Sequence, residues 1–248
     1  MPVADRGFRY GMSVFETLAV HRGRLLFLNE HIDRLKQACG AAGFAFPPEL
    51  SNSLSALRMN GEGMVRVYVT AGAGGPTDEA QACGTYALFD GMVFPSCGDV
   101  SRGYRAAFSR APVSCVLGGW KTGNYWQHVQ VLTEAKKQGL DEAFVLNTQG
   151  EVVSAAMANV FFVLNGTLQT PSAISGARDG VVRNWVQSQQ HVQISSLLPE
   201  DASRAEECFL TNSRLGIMPV VEMEGRCLPS RKIGDELAAM YREKILGC

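Results

Sequence analysis

The sequence is poor in lysine and histidine, and it has no long apolar run. Only six of its 248 residues are lysine and four are histidine. The histidines and the seven cysteines form neither an HExxH nor a CxxC pattern, which gives no indication of a metal site. No apolar segment reaches the roughly 20 residues of a membrane span, and none has the profile of a secretory signal peptide. We therefore expect a reduced, cytoplasmic protein without a membrane partner.

The charge is close to balanced. Lysine and arginine total 23 residues against 24 aspartates and glutamates, for a net charge of −1. Such a balance gives no reason to expect a nucleic-acid partner. An apolar content of 46% is that of a soluble globular protein, and the length suffices for one large or two modest domains.

The first 94 residues are predicted to form a small α/β domain. Strands at 14–20 and 25–28 flank a turn, and the helix that follows, ending near residue 42, would bury Ile32, Leu35, Ala38 and Cys39 on one face. A second helix near 47–59 and strands at 64–70 and 85–94 complete the domain. A glycine-rich segment, 71–76, separates the last two strands. We place an interdomain linker at 95–102.

A larger domain is predicted for residues 103–248. Its helix at 125–138 would end at Gly139, because glycine readily adopts the left-handed conformation that closes a helix. Another helix follows Gly180, and a last one covers 231–246. The predicted strands lie at 104–109, 142–147, 151–154, 158–164 and 206–211.

Lys121 has an unusual setting for a lysine. It lies between Trp120 and Trp126 in a glycine-rich segment, whereas the other five lysines lie in polar stretches with helical spacing. Burial among apolar groups lowers the pKa of a lysine, which can then act as a nucleophile or form a Schiff base with a carbonyl compound. The alternative is a lysine whose stem covers an aromatic ring while its ammonium group reaches water.

Several segments are candidate anion sites, each with a structural alternative. The glycine run 71–76 follows a strand, but it lacks the GxGxxG and GK[ST] patterns, so a turn is favoured over a phosphate loop. Gly180-Val181-Val182-Arg183 opens a helix, whose unpaired N–H groups can bind phosphate. Arg34 could clamp a phosphate, or pair with Glu30 on the helix surface.

Taken together, these segments resemble the fold-type IV pyridoxal-phosphate enzymes, the class IV aminotransferase family. That family includes branched-chain and D-amino-acid aminotransferases and 4-amino-4-deoxychorismate lyase. The resemblance covers essentially the whole chain and keeps the order and spacing of the family's motifs. The matching segments are Asp5-Arg6-Gly7-Phe8-Arg9-Tyr10-Gly11, Val14-Phe15-Glu16-Thr17, Glu30-His31 with Arg34-Leu35, Lys121-Thr122-Gly123-Asn124-Tyr125, Asp141-Glu142-Ala143, Asn159-Val160-Phe161, Gly180-Val181-Val182-Arg183 and Leu210-Thr211-Asn212-Ser213.

The resemblance implies an α/β (α+β) fold of two domains with pyridoxal 5'-phosphate in the cleft between them, and a homodimer. Lys121 would hold the cofactor as a Schiff base, and Tyr125 would hydrogen-bond the phenolic oxygen of its ring. The phosphate would be bound by Arg34, by the N–H groups of Val181 and Val182, and by Ser213.

The sequence departs from the family pattern at three places. The carboxylate that pairs with the pyridine nitrogen is replaced by Ser154, five residues before Asn159. The arginine that can bind a substrate carboxylate after the strand at 64–70 is replaced by Ala71. Gly11-Met12-Ser13 stands where the family usually has Gly-Asp-Gly. Substrate recognition is therefore less defined by the sequence than cofactor binding.

The reaction that the resemblance favours is that of a lyase similar to 4-amino-4-deoxychorismate lyase, acting on a small amino substrate for folate synthesis. A serine at position 154 can hydrogen-bond the pyridine nitrogen without keeping it protonated, which weakens the cofactor as an electron sink. Transamination should suffer more from this than an elimination whose charge departs promptly. The alternatives are a branched-chain or D-amino-acid aminotransferase, and a degenerate paralogue that binds the cofactor without turnover.

Overall fold

The computed structural model describes residues 1–79, 83–91, 94–110, 112 and 119–247. The chain divides into two compact units. Unit 1 comprises Met1–Val93 and Trp120–Tyr125, and unit 2 comprises Phe94–Gly119 and Trp126–Cys248. Within the described part of the chain, no helix is both long enough and apolar enough to cross a membrane.

Unit 1 is built on an antiparallel sheet with the strand order β2-β1-β3-β4. The long partners β1 and β3 pair from Ser13↔Thr70 to Val20↔Gly63 without a break in register. The strands are β1 (Ser13–His21), β2 (Arg24–Leu25), β3 (Gly63–Thr70) and β4 (Gly84–Gly91), and the helices are α1 (Arg6–Tyr10), α2 (Leu28–Ala41) and α3 (Leu50–Ala56).

Helix α2 packs on β1 through the apolar face that the sequence predicts. Ile32, Leu35, Ala38 and Cys39 are all buried there, in one cluster with side chains of β1 and β3 such as Val67. Burial of each such aliphatic side chain stabilises the unit by roughly 1.5–3 kcal/mol relative to exposure. This core fixes α2 against the strand that carries Glu16.

The glycine-rich segment after β3 is held by a buried arginine. The guanidinium group of Arg6 donates hydrogen bonds to the carbonyls of Ala71, Gly72 and Asp78, and is itself almost fully buried. These carbonyls present negative dipoles to a cation, which is the opposite of an anion cradle. The segment is therefore a turn, as favoured, and not a phosphate loop.

Unit 2 contains a nine-stranded mixed sheet with the order β10-β9-β8-β11-β12-β5-β6-β7, in which β13 pairs with β12. Its strands are β5 (Tyr104–Phe108), β6 (Glu142–Leu146), β7 (Val152–Ala155), β8 (Asn159–Leu164), β9 (Thr167–Pro171), β10 (Gln193–Ser195), β11 (Glu207–Asn212), β12 (Gly216–Met223) and β13 (Arg226–Cys227). Its α-helices are α4 (Cys97–Arg102), α5 (Trp126–Lys137), α6 (Val181–Gln189), α7 (Pro199–Ala202) and α8 (Lys232–Tyr241), and a π-helical turn covers Arg242–Leu246.

The sheet of unit 2 buries both of its faces. One face carries an apolar cluster that includes Phe144, Phe162 and Leu210. On the other face Phe161 stacks on Phe209 with ring centroids 4.8 Å apart. A strand buried on both faces reads as a nearly continuous apolar run, as in β8 and β11, where alternation gives no guidance.

The structure differs from the predicted organisation in three respects. Residues 120–125, which we assigned with 103–248, belong to unit 1. The predicted linker 95–102 contains helix α4, whose N-terminus is closed by a capping box between Ser96 and Asp99, and it belongs to unit 2. The predicted strand 85–94 is seen as Gly84–Gly91, and its residues 92 and 93 lie outside the described residues.

Candidate active site

Lys121 lies over aromatic rings of unit 1. Its Nζ is 4.5 Å from the centroid of Phe15 and 5.4 Å from that of Tyr125. The two rings meet edge to face at 5.4 Å, and Phe15 also stacks on Tyr68 at 5.1 Å. The amine is thus held on the π-electron surface of a ring cluster, which fits either of the two settings that the sequence suggests for Lys121.

The Lys121 segment is fixed by backbone bonds to β1. The N–H of Phe15 donates to the carbonyl of Lys121 at 2.8 Å, and the N–H of Gly123 donates to the carbonyl of Ser13 at 2.8 Å. A Cβ on Gly123 would lie 2.2 Å from Ser13 Oγ, so a residue other than glycine would push the segment off the strand. The position of Lys121 is therefore fixed by hydrogen bonds to the start of β1, because Lys121 precedes helix α5 and is not part of it.

Arg34 of α2 is paired with a buried carboxylate of β1. Its Nε donates to Glu16 Oε1 and its Nη2 to Glu16 Oε2, each at 2.6 Å. His31 Nδ1 lies 2.8 Å from Glu16 Oε2. These two donors of Arg34 go to Glu16, not to the Glu30 that helical spacing suggested. The bidentate pair fixes the plane of the guanidinium group.

The pKa values of this cluster follow from its composition. Burial alone would raise the pKa of Glu16, but the charge of Arg34 and the hydrogen bonds from His31 and Arg34 hold it well below its usual range. Burial lowers the pKa of His31, and the charges of Arg34 and Lys121 lower it further, against the opposing effect of Glu16. Near neutral pH the cluster thus holds an ionised glutamate and a neutral histidine beside the guanidinium group of Arg34.

Ser154 of unit 2 is buried on β7, where it pairs with Val145 of β6. The carboxylates nearest to it in sequence are engaged elsewhere. Glu151 accepts hydrogen bonds from Ser196 and from Asn147. The position that the family resemblance assigns to a carboxylate therefore has a neutral hydroxyl in this chain.

Glu142 is the other carboxylate in this region, and it lies on the opposite face of the sheet. Its neighbour on the same face of β6, Phe144, is paired with Ala155, so Ser154 points the other way. Burial raises the pKa of Glu142 to about 7, because only backbone N–H groups, such as those of Ala143 and Met157, and the charge of Lys136 oppose it. Glu142 therefore does not substitute for a carboxylate at position 154.

Helix α6 begins at Val181, directly after Gly180, an N-cap residue that has no side chain with which to cap the helix. The first N–H groups of a helix have no intrahelical partner, so those of Val181 and Val182 can bind an anion. The preceding loop is held by Asn159, whose Nδ2 donates to the carbonyl of Arg178 at 2.8 Å. A Cβ on Gly180 would lie 1.9 Å from Asn159 Oδ1, which explains the glycine.

Ser213 lies in the turn between β11 and β12. The side chain of Asn212 shapes this turn, because its Oδ1 accepts hydrogen bonds from the N–H groups of Arg214 at 2.9 Å and Leu215 at 2.7 Å. Unit 2 thus presents Ser154 on β7, the N-terminus of α6 after Gly180, and Ser213 in the turn between β11 and β12. Within unit 1 it presents Lys121, Tyr125 and Arg34.

Two residues of the Arg34 cluster were not assigned a role from the sequence. Glu16 and His31 appear only as letters of matching motifs, although Glu16 interrupts the apolar run Val14-Phe15-Glu16-Thr17-Leu18. A glutamate in a buried strand nearly always has a charged partner. That signal could have identified Glu16, but not which cation pairs with it.

Comparison with known proteins agrees with the resemblance. The family model described as amino-transferase class IV matches residues 13–223. A protein of Methanocaldococcus jannaschii with the provisional name of a branched-chain-amino-acid aminotransferase is 30% identical over 98% of this chain and 89% of its own. An aminodeoxychorismate lyase of Vibrio harveyi is 26% identical over 98% of this chain and 93% of its own.

A solved structure supports the fold. The branched-chain aminotransferase of Thermoproteus uzoniensis, crystallised with norvaline, superposes with a TM-score of 0.88, covering 100% of this chain and 90% of that one at 24% identity. The relatives carry the names of two different reactions, so they establish the family and not the reaction. The chain belongs to the class IV aminotransferase family, with the fold-type IV architecture.

Proposed function

We propose that the protein is a pyridoxal-phosphate-dependent lyase, similar to 4-amino-4-deoxychorismate lyase, that eliminates pyruvate from aminodeoxychorismate to give 4-aminobenzoate. Ser154 is the observation that carries the choice of reaction. Family membership supports the cofactor, and the buried serine on β7 supports elimination over transamination.

The donor set of the chain fits this cofactor. An aldehyde requires an amine, which Lys121 supplies beside Phe15 and Tyr125. A phosphate dianion requires cations and N–H or O–H donors. Arg34 offers a guanidinium group oriented by Glu16, the α6 N-terminus offers the N–H groups that follow its glycine N-cap, and Ser213 offers a hydroxyl group. The hydroxyl group of Tyr125 is a suitable donor to the phenolic oxygen of the ring.

When bound, the cofactor would withdraw electrons from the substrate carbon next to the amine. The Nζ of Lys121, exchanged for the substrate amine, would accept the proton released from the substrate ring. As the ring becomes aromatic, its bond to the enolpyruvyl oxygen breaks. Lys121 Nζ would return a proton to that fragment, which leaves as pyruvate. Tyr125 and Arg34 would hold the cofactor in place and would not transfer a proton.

Ser154 supports this reaction through what it does not do. Its hydroxyl group can donate or accept one hydrogen bond but cannot hold a positive charge on the pyridine nitrogen, as a carboxylate does. A pyridine ring with a neutral nitrogen stabilises negative charge on the substrate less strongly than a protonated ring does. Elimination ends that charge by losing a fragment, whereas transamination requires it to persist until a second proton transfer.

Product analysis tests the proposal. Purified protein mixed with aminodeoxychorismate should release 4-aminobenzoate and pyruvate in equal amounts. Borohydride treatment of the protein saturated with pyridoxal phosphate should fix one cofactor on Lys121, visible by mass spectrometry, and Lys121→Ala should abolish the adduct. A saturated wild-type protein without an adduct would refute the cofactor assignment. An adduct without 4-aminobenzoate would refute only the lyase.

A branched-chain or D-amino-acid aminotransferase is the second candidate. Its support is the relative at 30% identity that bears a branched-chain aminotransferase name. A panel of amino acids incubated with 2-oxoglutarate should then yield glutamate at rates of about 1–1,000 per second, the range of ordinary enzymes. Such rates would overturn the lyase in favour of this activity.

We also propose, from family membership, that the protein acts on a small amino substrate in the cytoplasm as a homodimer. Light scattering after size-exclusion chromatography would measure the mass in solution. A value near 26.8 kDa, that of one chain, would contradict the dimer.

A further inference from the structure

A short turn follows Ser154 directly, and it connects β7 to β8. We call residues 155–158 the 155–158 turn. It is closed by a hydrogen bond from the N–H of Ala155 to the carbonyl of Ala158 at 2.8 Å. The N–H of Ala156 donates to the carbonyl of Ala143 in β6, also at 2.8 Å. Movement of this turn would move Ser154, which is one residue away along the chain.

The Met157 peptide groups are held from two sides. The N–H of Met157 donates to Glu142 Oε2 at 3.2 Å. The carbonyl of Met157 accepts a hydrogen bond from Asn212 Nδ2 at 2.9 Å. Glu142 belongs to the sheet beneath the turn, whereas Asn212 is the last residue of β11. The turn is therefore tied to two different strands through one residue.

The carboxamide of Asn212 also makes hydrogen bonds through its oxygen atom. Its Oδ1 accepts the N–H groups of Arg214 and Leu215, which closes the turn that carries Ser213. Backbone pairing between β8 and β11 ends at Asn159↔Thr211, so the Asn212 side chain continues the contact one residue beyond the ladder. One side chain thus joins the Ser213 turn to the 155–158 turn.

Asn159 extends the same arrangement to helix α6. It follows the 155–158 turn directly, and its Nδ2 donates to the carbonyl of Arg178 in the loop before α6. Ser154, the N-terminus of α6 and Ser213 are therefore each connected to the segment 154–159, by the chain itself or by a single amide hydrogen bond.

We propose that Asn212 is a positioning residue, whose carboxamide sets the spacing between the Ser213 turn and the 155–158 turn that follows Ser154. This inference rests on the proposed function, in which Ser213 meets the cofactor phosphate and Ser154 meets its ring nitrogen. A rigid molecule that must satisfy both contacts binds well only if their separation is correct in advance. Asn212 need not touch the cofactor to have this effect.

The two jobs of the carboxamide can be separated by substitution. Asn212→Ser keeps an oxygen that can accept the N–H of Arg214, as serine does in turns, but it is too short to reach Met157. Asn212→Asp keeps the acceptor and the length, but it has no N–H to donate to the Met157 carbonyl. Both variants retain the Ser213 turn and lose its link to the 155–158 turn.

Asn147 provides a matched control in the same unit. Its Oδ1 accepts the N–H groups of Gln149 and Glu151, and its Nδ2 donates to the carbonyl of Ser175 at 3.1 Å. It therefore shapes the β6–β7 hairpin as Asn212 shapes the β11–β12 hairpin. Asn147→Ser likewise keeps an oxygen acceptor for its turn and loses the amide donor to Ser175 and Glu151, at the opposite end of β7 from the 155–158 turn.

The test compares affinities for pyridoxal phosphate and for pyridoxal, which has no phosphate. In Asn212→Ser and Asn212→Asp, affinity for pyridoxal phosphate should fall about tenfold, the scale of one lost hydrogen bond. Affinity for pyridoxal should change less than about twofold, because this ligand does not use the Ser213 turn. The phosphorus resonance of the bound cofactor should shift in both variants. Asn147→Ser should behave as wild type.

Three outcomes would overturn the inference. They are wild-type affinity for pyridoxal phosphate in both Asn212 variants, equal losses for the two ligands, and an equal loss in Asn147→Ser. Thermal unfolding of each variant identifies a general loss of stability, and the serine variant remains informative if the aspartate variant does not fold. Failure of the wild type to bind pyridoxal phosphate would instead refute the proposed function, so the two failures are distinguishable.

Discussion

Two buried glutamates, one in each unit, have opposite pKa shifts. Glu16 in unit 1 and Glu142 in unit 2 are 2% and 3% exposed. Glu16 accepts two hydrogen bonds from a guanidinium group and lies beside an imidazole, whereas Glu142 accepts mainly from backbone N–H groups. The pKa of Glu16 lies well below its usual range, and that of Glu142 is raised to about 7.

The difference shows that burial does not decide the charge of a carboxyl group by itself. Burial raises the pKa in both cases, but only Glu16 has a full positive charge in contact. Unit 1 therefore keeps an ionised cluster next to Lys121, while Ser154 in unit 2 is a buried residue without a charge. In our proposal this places the fixed charge at the phosphate and amine, and leaves little at the ring nitrogen.

The largest expected effect is that of Arg34→Ala on stability. Among the residues that the structure describes, the substitution leaves buried Glu16 with only His31 as a side-chain partner, and breaking a buried ion pair costs about 3–5 kcal/mol. Urea unfolding near neutral pH should show a loss of that size. The double variant Glu16→Gln/Arg34→Met, which removes both charges, should recover most of it.

Arg204→Ala is the matched control for this comparison. Arg204 pairs with Asp201 at 3.6 Å, and both side chains are exposed. Such surface pairs contribute less than about 1 kcal/mol. If Arg34→Ala cost no more than Arg204→Ala, the Glu16 cluster would not be the charged core that the geometry indicates.

The second effect is a pH dependence from Glu142. Its folded pKa, about 7, lies above the unfolded value of 4.5, so the folded state binds the extra proton between these values. Stability should therefore fall as pH rises from about 4.5 to 7, by about 3 kcal/mol in total, and this loss remains at higher pH. Glu142→Gln should remove that part of the profile.

Glu16 should behave in the opposite sense. Because its folded pKa is lowered, its contribution is present above the unfolded pKa and is lost as pH falls towards the folded value. Unfolding free energies should be measured from pH 3 to 8 for Glu16→Gln and Glu142→Gln. The pH dependence of Glu16→Gln should differ from that of wild type at the acidic end of the range, and that of Glu142→Gln between about pH 4.5 and 7. A common deviation would mean that the two carboxyl groups do not differ.

Next in size is the contribution of Arg34 to cofactor affinity. If its guanidinium group binds phosphate, Arg34→Ala should weaken binding of pyridoxal phosphate by about 2–3 kcal/mol, the scale of a charge-assisted hydrogen bond. The substitution is best made in wild type and in Glu16→Gln, and both are titrated at equilibrium. An unchanged affinity on adding Arg34→Ala to Glu16→Gln would limit Arg34 to the role of partner of Glu16.

Local patterns predicted local structure well. The apolar stripe of α2 and the end of α5 near Gly139, which has a φ of +74°, follow from the helix period and from glycine's freedom. Lys121 stood out because its neighbours in the sequence are aromatic, and in the structure its amine lies over the rings of Phe15 and Tyr125. Composition indicated the kind of neighbour but not its identity.

What the sequence did not predict depends on contacts between distant segments. Strand β12 contains Pro219, a residue that argues against a central strand. Pro219 pairs with Phe209 and lies just before the pairing with β5 begins at Val220, so its missing N–H is tolerated. The Glu16–Arg34 pair and the place of Arg6 in the glycine turn also join separate elements, which no period reveals.

Ser154→Glu makes the smallest change expected and tests the comparison most directly, because it adds a carboxyl group at a buried position. Without cofactor, our proposal gives the new carboxyl group no cationic partner. Its pKa should then be raised, like that of Glu142, and the substitution should cost about 1–3 kcal/mol of stability. With cofactor bound, a protonated pyridine nitrogen would be its partner, and it should then resemble Glu16. Half-transamination of a suitable amino acid, followed as formation of pyridoxamine phosphate, should rise above wild type, whereas release of 4-aminobenzoate should not. The stability cost should also shrink when pyridoxal phosphate is present, more than it does for the control Ser195→Glu on β10.

A variant that is destabilised equally with and without cofactor, and whose half-transamination is unchanged, would show that position 154 does not face the ring nitrogen. The argument from Ser154 for elimination would then be withdrawn, while the family and Lys121 would stand.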